Sequence, residues 1–196
     1  MDLNKIYSKI NREELKQMVV DMVNIPSPTG QEEQMGRYVS QKLRSIGMEV
    51  VWQEVEEGRP NVVGTLRGDG TGPVLEFDGH LDVSFSGNEE FMFGGASAPV
   101  ASVRKINGDE WIFGVGSFNM KAALAAYISA AKSIIDSGVK LSGNIVISAT
   151  CCYYIGCNIH NCTRFLVVKH PLAEFVEAHQ GSLDIKFQCF IYDLFG

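Results

Sequence analysis

A histidine and a carboxylate stand two residues apart in the segment Gly-His-Leu-Asp at 79–82, directly after a strand-like run at 74–77. A neutral imidazole is a good zinc ligand, and its second ring nitrogen needs a partner that fixes the ring. The spacing suits Asp82 to orient the imidazole of His80. The segment therefore predicts either a metal site at the end of a strand or a structural histidine in a turn.

A second segment, Gly-Val-Gly-Ser-Phe-Asn-Met-Lys-Ala at 114–122, places a glycine turn in front of a predicted helix. Its Asn119 is a residue type that commonly caps helices. Between the two segments lies an aromatic loop that contains Phe-Met-Phe-Gly-Gly at 91–95. The two segments together predict the two halves of one polar site.

In order and spacing, these segments resemble the family of acetylornithine deacetylase, succinyl-diaminopimelate desuccinylase and carboxypeptidase-like zinc exopeptidases and amidohydrolases. The family pattern is Gly-His-x-Asp, then an aromatic loop with Phe-Gly-Gly, then Gly-Arg-Gly-x-x-Asp-Met-Lys-Gly. The early segment Ile-Pro-Ser-Pro-Thr-Gly at 25–30, followed by Glu32 and Glu33, fits the same family. The resemblance spans residues 13–150. It implies a hydrolase that holds one or two zinc ions and acts on an N-acyl amino acid or a short peptide.

By this resemblance His80 ligates one metal and Asp82 supports it, while the family's bridging aspartate falls on Asn119. Two zinc ions about 3.5–4 Å apart repel by roughly 20 kcal/mol gross at an effective dielectric near 20, and a shared carboxylate offsets that repulsion. An amide offers one neutral oxygen and no charge. Asn119 therefore stays open between a weak metal ligand and a helix cap.

The family also places a Glu-Glu pair, the general base and a metal ligand, after a buried strand, which we predict here at 145–149. Tyr153 and Tyr154 stand at those positions, and a phenol with a pKa near 10 is a poor base at neutral pH. A further carboxylate ligand maps to His170, which stays open between a zinc ligand and a surface histidine. The family's last histidine ligand would fall beyond residue 196.

Elements of two kinds must position these residues. The capping boxes Asn11-x-x-Glu14 and Thr29-x-x-Glu32 predict two helix starts, and a third helix is predicted at 120–137. The strands are predicted at 49–54, 61–65, 74–77, 111–115 and 145–149. This alternation predicts an α/β fold with a largely parallel mixed sheet and helices on both faces, an incomplete zinc exopeptidase-like catalytic domain. Sites in such sheets lie at the carboxyl ends of strands.

We predict that residues 1–180 are the N-terminal part of a metallohydrolase catalytic domain and that residues 181–196 begin a truncated lid domain. The substitutions at Asn119, Tyr153 and Tyr154 lead us to expect that hydrolytic activity is lost or impaired. The alternatives are a non-catalytic scaffold that binds a partner and an inactive fragment. A homodimer would require the complete lid.

The composition excludes several classes of partner. The 17 basic residues are scattered among 23 acidic ones and the net charge is −6, which argues against nucleic-acid or anionic-membrane partners. The longest apolar stretch, at 122–135, is too short for a bilayer, and residues 1–5 contain no apolar signal core. The five cysteines all follow residue 150 and predict no disulfide framework. We therefore expect a cytoplasmic protein.

Overall fold

A computed structural model describes residues 3–86 and 100–151 of the 196-residue chain. Its helices are α1 (Leu3–Tyr7), α2 (Arg12–Val23), α3 (Glu33–Ser45) and α4 (Ala122–Ser137). Its strands are β1 (Glu49–Glu56), β2 (Arg59–Leu66), β3 (Leu75–His80), β4 (Ser102–Ile106), β5 (Asp109–Phe113) and β6 (Ile145–Thr150). In this part of the chain, no helix has both the length and the apolar character to cross a membrane.

Four strands form a mixed sheet in the order β1-β2-β6-β3, and β4 and β5 form a separate antiparallel ribbon. The α/β class and the mixed sheet are therefore as predicted. The largely parallel pairing is not found among these strands, because only β3 and β6 run parallel. The physical reason is the two-residue connection at 57–58, which can join β1 to β2 only in an antiparallel hairpin.

Helices α3 and α4 pack on the same face of the sheet. A Cβ on Gly64 of β2 would contact Leu43 of α3, and one on Gly79 of β3 would contact Leu124 of α4. Gly64 pairs with Ile147 and Gly79 with Ala149, two positions of β6 that point to one face. Helices on the second face are not seen in residues 3–86 and 100–151 and stay a prediction for the rest of the chain.

The apolar core fills the space between this sheet face and α2, α3 and α4. Each large aliphatic side chain buried there contributes about 1.5–3 kcal/mol. Phe77 of β3 also stacks on Tyr127 of α4, with 5.0 Å between ring centroids. These contacts fix the carboxyl end of β3 relative to the start of α4. Core members without accessible surface include Met22, Met35, Val39, Leu43, Val62, Leu124 and Ile147.

The helix starts show where local rules hold. Helix α2 begins as predicted, with the Asn11 side chain accepting a hydrogen bond from the Glu14 N–H at 3.1 Å. The capping box predicted at Thr29 is wrong: α3 begins at Glu33 without a side-chain cap. The two polar residues of that predicted capping box have tertiary partners instead. Thr29 donates to Asp82, and Glu32 accepts from Arg59.

Candidate functional site

Three chain segments meet at the carboxyl end of β3: the loop of residues 25–29, the turn of residues 81–83, and the turn of residues 114–121 that precedes α4. The Val83 N–H donates to the Ser27 carbonyl at 2.8 Å, and the Thr29 N–H donates to the Val83 carbonyl at 3.3 Å. The Lys121 N–H closes a π-type turn by donating to the Gly116 carbonyl at 3.0 Å. We call this meeting point the three-segment junction.

His80 stands at the centre of the junction and is only 7% exposed. Its Nδ1 lies 2.8 Å from the Asp82 carbonyl oxygen and 3.2 Å from Asp82 Oδ1. Its Nε2 lies 3.0 Å from Asn119 Oδ1. The imidazole therefore joins the end of β3 to the turn before α4, and the structure brings His80, Asp82 and Asn119 together.

The surroundings of His80 favour a protonated ring. Burial alone would lower the pKa of His80, but hydrogen bonds with Asp82 and Asn119 outweigh it and raise the pKa. A neutral imidazole carries one N–H, whereas oxygen atoms lie against both ring nitrogens. A ring protonated on both nitrogens can donate to the Asn119 amide oxygen and to Asp82 at once, and in that form His80 pairs with the Asp82 carboxylate.

The Asp82 carboxylate is almost fully buried and accepts a 2.6 Å hydrogen bond from the Thr29 hydroxyl through Oδ2. Burial alone would raise the pKa of Asp82, but the hydrogen bonds with His80 and Thr29 outweigh it and lower the pKa. Asp82 therefore stays ionised beside the ring. Sequence reasoning missed Thr29, although Thr29 lies in the 25–30 segment on which the family resemblance rests.

Asn119 has an extended backbone (φ −135°, ψ 105°) within the turn, and its peptide bond to Met120 is cis. Helix α4 begins two residues later than predicted, at Ala122, and no side chain caps it. The helix-capping alternative for Asn119 is therefore wrong. Its amide oxygen instead faces Nε2 of His80.

Lys121 is a buried cation that sequence reasoning also left without a role. It is 1% exposed, and its Nζ donates to the Ile25 carbonyl at 2.7 Å. Burial lowers the pKa of Lys121 to about 8. Gly116, at φ +80°, gives the lysine stem room, because a Cβ there would lie 2.9 Å from Lys121 Cδ.

The fit of this site to a zinc ion is incomplete. His80 Nε2 and Asn119 Oδ1 are two atoms that could face one cation, whereas zinc sites in proteins take three or four protein ligands. No three His, Cys, Asp or Glu side chains converge within residues 3–86 and 100–151. These residues alone therefore do not fit a zinc centre. Tyr153, Tyr154 and His170 lie outside the described residues, so their predicted places stay predictions.

The chain matches the sequence profile of peptidase family M20/M25/M40 over residues 77–181, more than half of its length. This chain belongs to peptidase family M20/M25/M40. The family resemblance inferred from the site motifs is thereby confirmed, and the matched region begins in β3 and includes both His80 and Asn119.

Curated relatives carry related names. The chain is 29% identical over 133 residues to a succinyl-diaminopimelate desuccinylase of Gluconacetobacter diazotrophicus. The aligned region covers 66% of this chain and 32% of that protein. It is 27% identical over 145 residues to the N-formyl-4-amino-5-aminomethyl-2-methylpyrimidine deformylase of Bacillus subtilis, covering 71% and 32%. The chain thus spans about one third of the length of these M20-family relatives.

Solved structures share the M20 fold. Human carnosine dipeptidase 1 is 20% identical to this chain, with a TM-score of 0.68. The superposition covers 85% of this chain and 37% of that one. The dipeptidase Dug1p of Saccharomyces cerevisiae is 14% identical, with a TM-score of 0.65. The superposition covers 76% of this chain and 34% of that one. At these identities the likeness shows a common fold.

Proposed function

We propose that this chain is an M20-family homologue that keeps the scaffold of an amide or peptide hydrolase and does not hydrolyse amides as it stands. One observation carries the proposal: His80 Nε2, the atom that would ligate a metal, faces the neutral amide of Asn119 at 3.0 Å. The family resemblance implies a bridging carboxylate at that position. The amide leaves the site without that negative charge.

Charge balance supports this proposal. The carboxylate of Asp82 is already paired with the His80 ring and the Thr29 hydroxyl. A metal ligand must be deprotonated, so a cation at Nε2 requires a neutral His80 ring, whereas hydrogen bonds with Asp82 and Asn119 outweigh burial and raise the pKa of that ring. Two cations would in addition lack the anion that offsets their repulsion.

The predicted loss of a general base points the same way. Tyr153 and Tyr154 stand where the family resemblance implies a Glu-Glu pair. A positioned general base contributes about 10²–10⁴ to a hydrolytic rate. A site without this base and without the bridging charge should turn over amides at least about 10²–10⁴-fold more slowly than a site that has both.

The second candidate is an active zinc-dependent hydrolase, which family membership favours. Its substrates would be N-acyl amino acids or short peptides, because one relative is named as a succinyl-diaminopimelate desuccinylase and two solved structures of the same fold are named as dipeptidases. Its metal ligands would then have to include side chains from outside residues 3–86 and 100–151.

Metal content and turnover of the full chain separate the two candidates. After dialysis, zinc would be measured by mass spectrometry, and hydrolysis would be assayed on N-acetyl and N-succinyl amino acids and on dipeptides. We expect well under one zinc per chain and no turnover. One tightly held zinc together with turnover would contradict the proposal.

Restoring the carboxylates gives a sharper experiment. The triple variant Asn119→Asp, Tyr153→Glu, Tyr154→Glu should bind zinc about tenfold more tightly or better, a gain of about 1.4 kcal/mol or more. The matched control carries the same three changes together with His80→Ala, and it should lose the gain. An unchanged affinity in the triple variant would show that these positions are not the family's ligand positions.

A further inference from the structure

Lys121 is the largest side chain that the described residues bury almost completely. A buried ammonium loses its hydration and persists only where a polar partner compensates. Its Nζ donates to the Ile25 carbonyl at 2.7 Å, across 96 positions of sequence. The lysine therefore joins the turn before α4 to the loop of residues 25–29.

The same loop is bonded to the His80–Asp82 pair at its other end. The Thr29 hydroxyl donates to Asp82 Oδ2 at 2.6 Å, and the Ser27 carbonyl accepts from the Val83 N–H at 2.8 Å. Pro26 and Pro28 stand between these contacts and restrict the backbone of the loop. The two prolines thus limit how far the backbone between Ile25 and Thr29 can rearrange.

The contacts form a closed path. Asn119 faces His80, and two residues later Lys121 holds Ile25. From Ile25 the path runs along the loop to Thr29, through Asp82, and back to His80. Polar contacts connected in this way act together, so that loss of one contact shifts the others.

We propose that Lys121 is a positioning residue, which holds the Ile25 carbonyl so that the Thr29 hydroxyl stays on Asp82 and the His80 ring keeps its orientation. This role does not depend on whether the chain hydrolyses amides. The competing explanation is that Lys121 only fills space, a task that an apolar side chain of equal length would perform as well.

The Lys121→Met variant separates the two explanations, because it keeps the length of the side chain and removes the donor. The readout is the ¹⁵N–¹H NMR spectrum of the His80 ring, whose hydrogen-bonded N–H protons exchange slowly with water. In Lys121→Met we expect these signals to shift and their exchange to accelerate about tenfold or more. Thr29→Val should produce the same change, and Thr29→Ser, which keeps a hydroxyl, should restore the original signals.

Two comparisons make the test specific. The double variant Lys121→Met, Thr29→Val should shift the ring signals no further than Thr29→Val alone, because both changes break one path. Ser27→Ala is the matched control within the loop, since the Ser27 hydroxyl has no hydrogen-bond partner in residues 3–86 and 100–151. It should leave the ring signals unchanged.

Ring signals that stay unchanged in folded Lys121→Met while moving in Thr29→Val would overturn the proposal. If Lys121→Met fails to fold, the wild-type chain provides the test. The Lys121 ammonium should then give a protected ¹⁵N signal with nuclear Overhauser contacts to Ile25. An ammonium signal broadened by fast exchange would equally overturn the proposal.

Discussion

Two buried carboxylates of this chain, Glu32 and Asp82, show how a structural ion pair differs from a candidate site. Glu32 has no accessible surface, and both of its oxygens are hydrogen-bonded. It accepts from the Gly30 N–H at 2.8 Å and from Arg59 Nε and Nη2 at 3.1 and 3.2 Å. Arg59 binds it with two nitrogens in the geometry that makes such pairs strong.

Arg59 extends this pair to the end of β6. Its Nη2 donates to the Cys151 carbonyl at 3.0 Å, and its Nη1 donates to Glu56 at 2.9 Å. The hydrogen bond with Glu32 raises the pKa of Arg59 and outweighs the effect of its burial. The pair thus fixes the loop before α3, the start of β2 and the end of β6 to one another.

The Asp82 cluster is less completely bonded. Its Oδ2 accepts from Thr29, whereas its Oδ1 shares His80 Nδ1, at 3.2 Å, with the Asp82 carbonyl oxygen, which lies closer to that nitrogen, at 2.8 Å. At the other side of the ring stands a neutral amide. The difference teaches that Glu32 is held by separate hydrogen bonds to each of its oxygens, whereas Asp82 Oδ1 depends on one ring nitrogen that it shares with a backbone carbonyl.

The largest effect should come from breaking the Glu32 pair. Arg59→Met leaves a buried carboxylate without its cation and should lower the free energy of unfolding by about 3–5 kcal/mol in urea titrations. The control is Glu56→Gln, which removes an exposed partner of the same arginine and should cost less than about 1 kcal/mol. Equal costs for the two variants would show that the buried pair of Arg59 with Glu32 stabilises the fold no more than its exposed pair with Glu56 does.

A middle-sized effect should follow from crowding the three-segment junction. Gly116→Ala adds a carbon that would lie 2.7 Å from Val83 Cγ1 at a residue with φ +80°. Left-handed strain and overpacking together predict a loss of about 2–4 kcal/mol. Gly138→Ala, with φ +65° and open space around its Cβ, should lose only about 1 kcal/mol. Similar losses would mean that the junction is loosely packed.

The smallest loss of stability should come from removing a single hydrogen bond that lies outside both clusters. Tyr38 donates to Asp21 at 2.9 Å, and Tyr38→Phe should cost about 0.5–1.5 kcal/mol at neutral pH. Burial, followed by the bond to Asp21, raises the pKa of Tyr38, so the fold favours the neutral phenol. The contribution of this neutral phenol to the free energy of unfolding is complete below about pH 10, the pKa of tyrosine in the unfolded chain. It is lost as the pH rises beyond that value.

Unfolding titrations of wild type and Tyr38→Phe from neutral pH upward test this sign. The stability difference between the two chains should shrink once the pH exceeds about 10. A difference that stays constant with pH would show that the phenol is not favoured in its neutral form.

The proximity of His80 and Asn119 could be predicted from sequence, because the two motifs that carry them stand in the order and spacing of the site segments of one family. Thr29 was misassigned, since a capping rule considers four consecutive residues and Asp82 lies 53 positions away. Strand β4 was missed because four of its five residues are exposed and show no burial alternation. The metal-binding roles of His80, Asn119 and His170 stay predictions.

The three-segment junction also has a consequence for the order in which the chain folds. Its members come from residues 25–29, 81–83 and 114–121, so no local element can build it alone. We therefore expect the junction to form only once β3 and α4 have docked, and to open as one unit when either of them separates. The junction therefore reports on the assembly of this part of the chain as a whole.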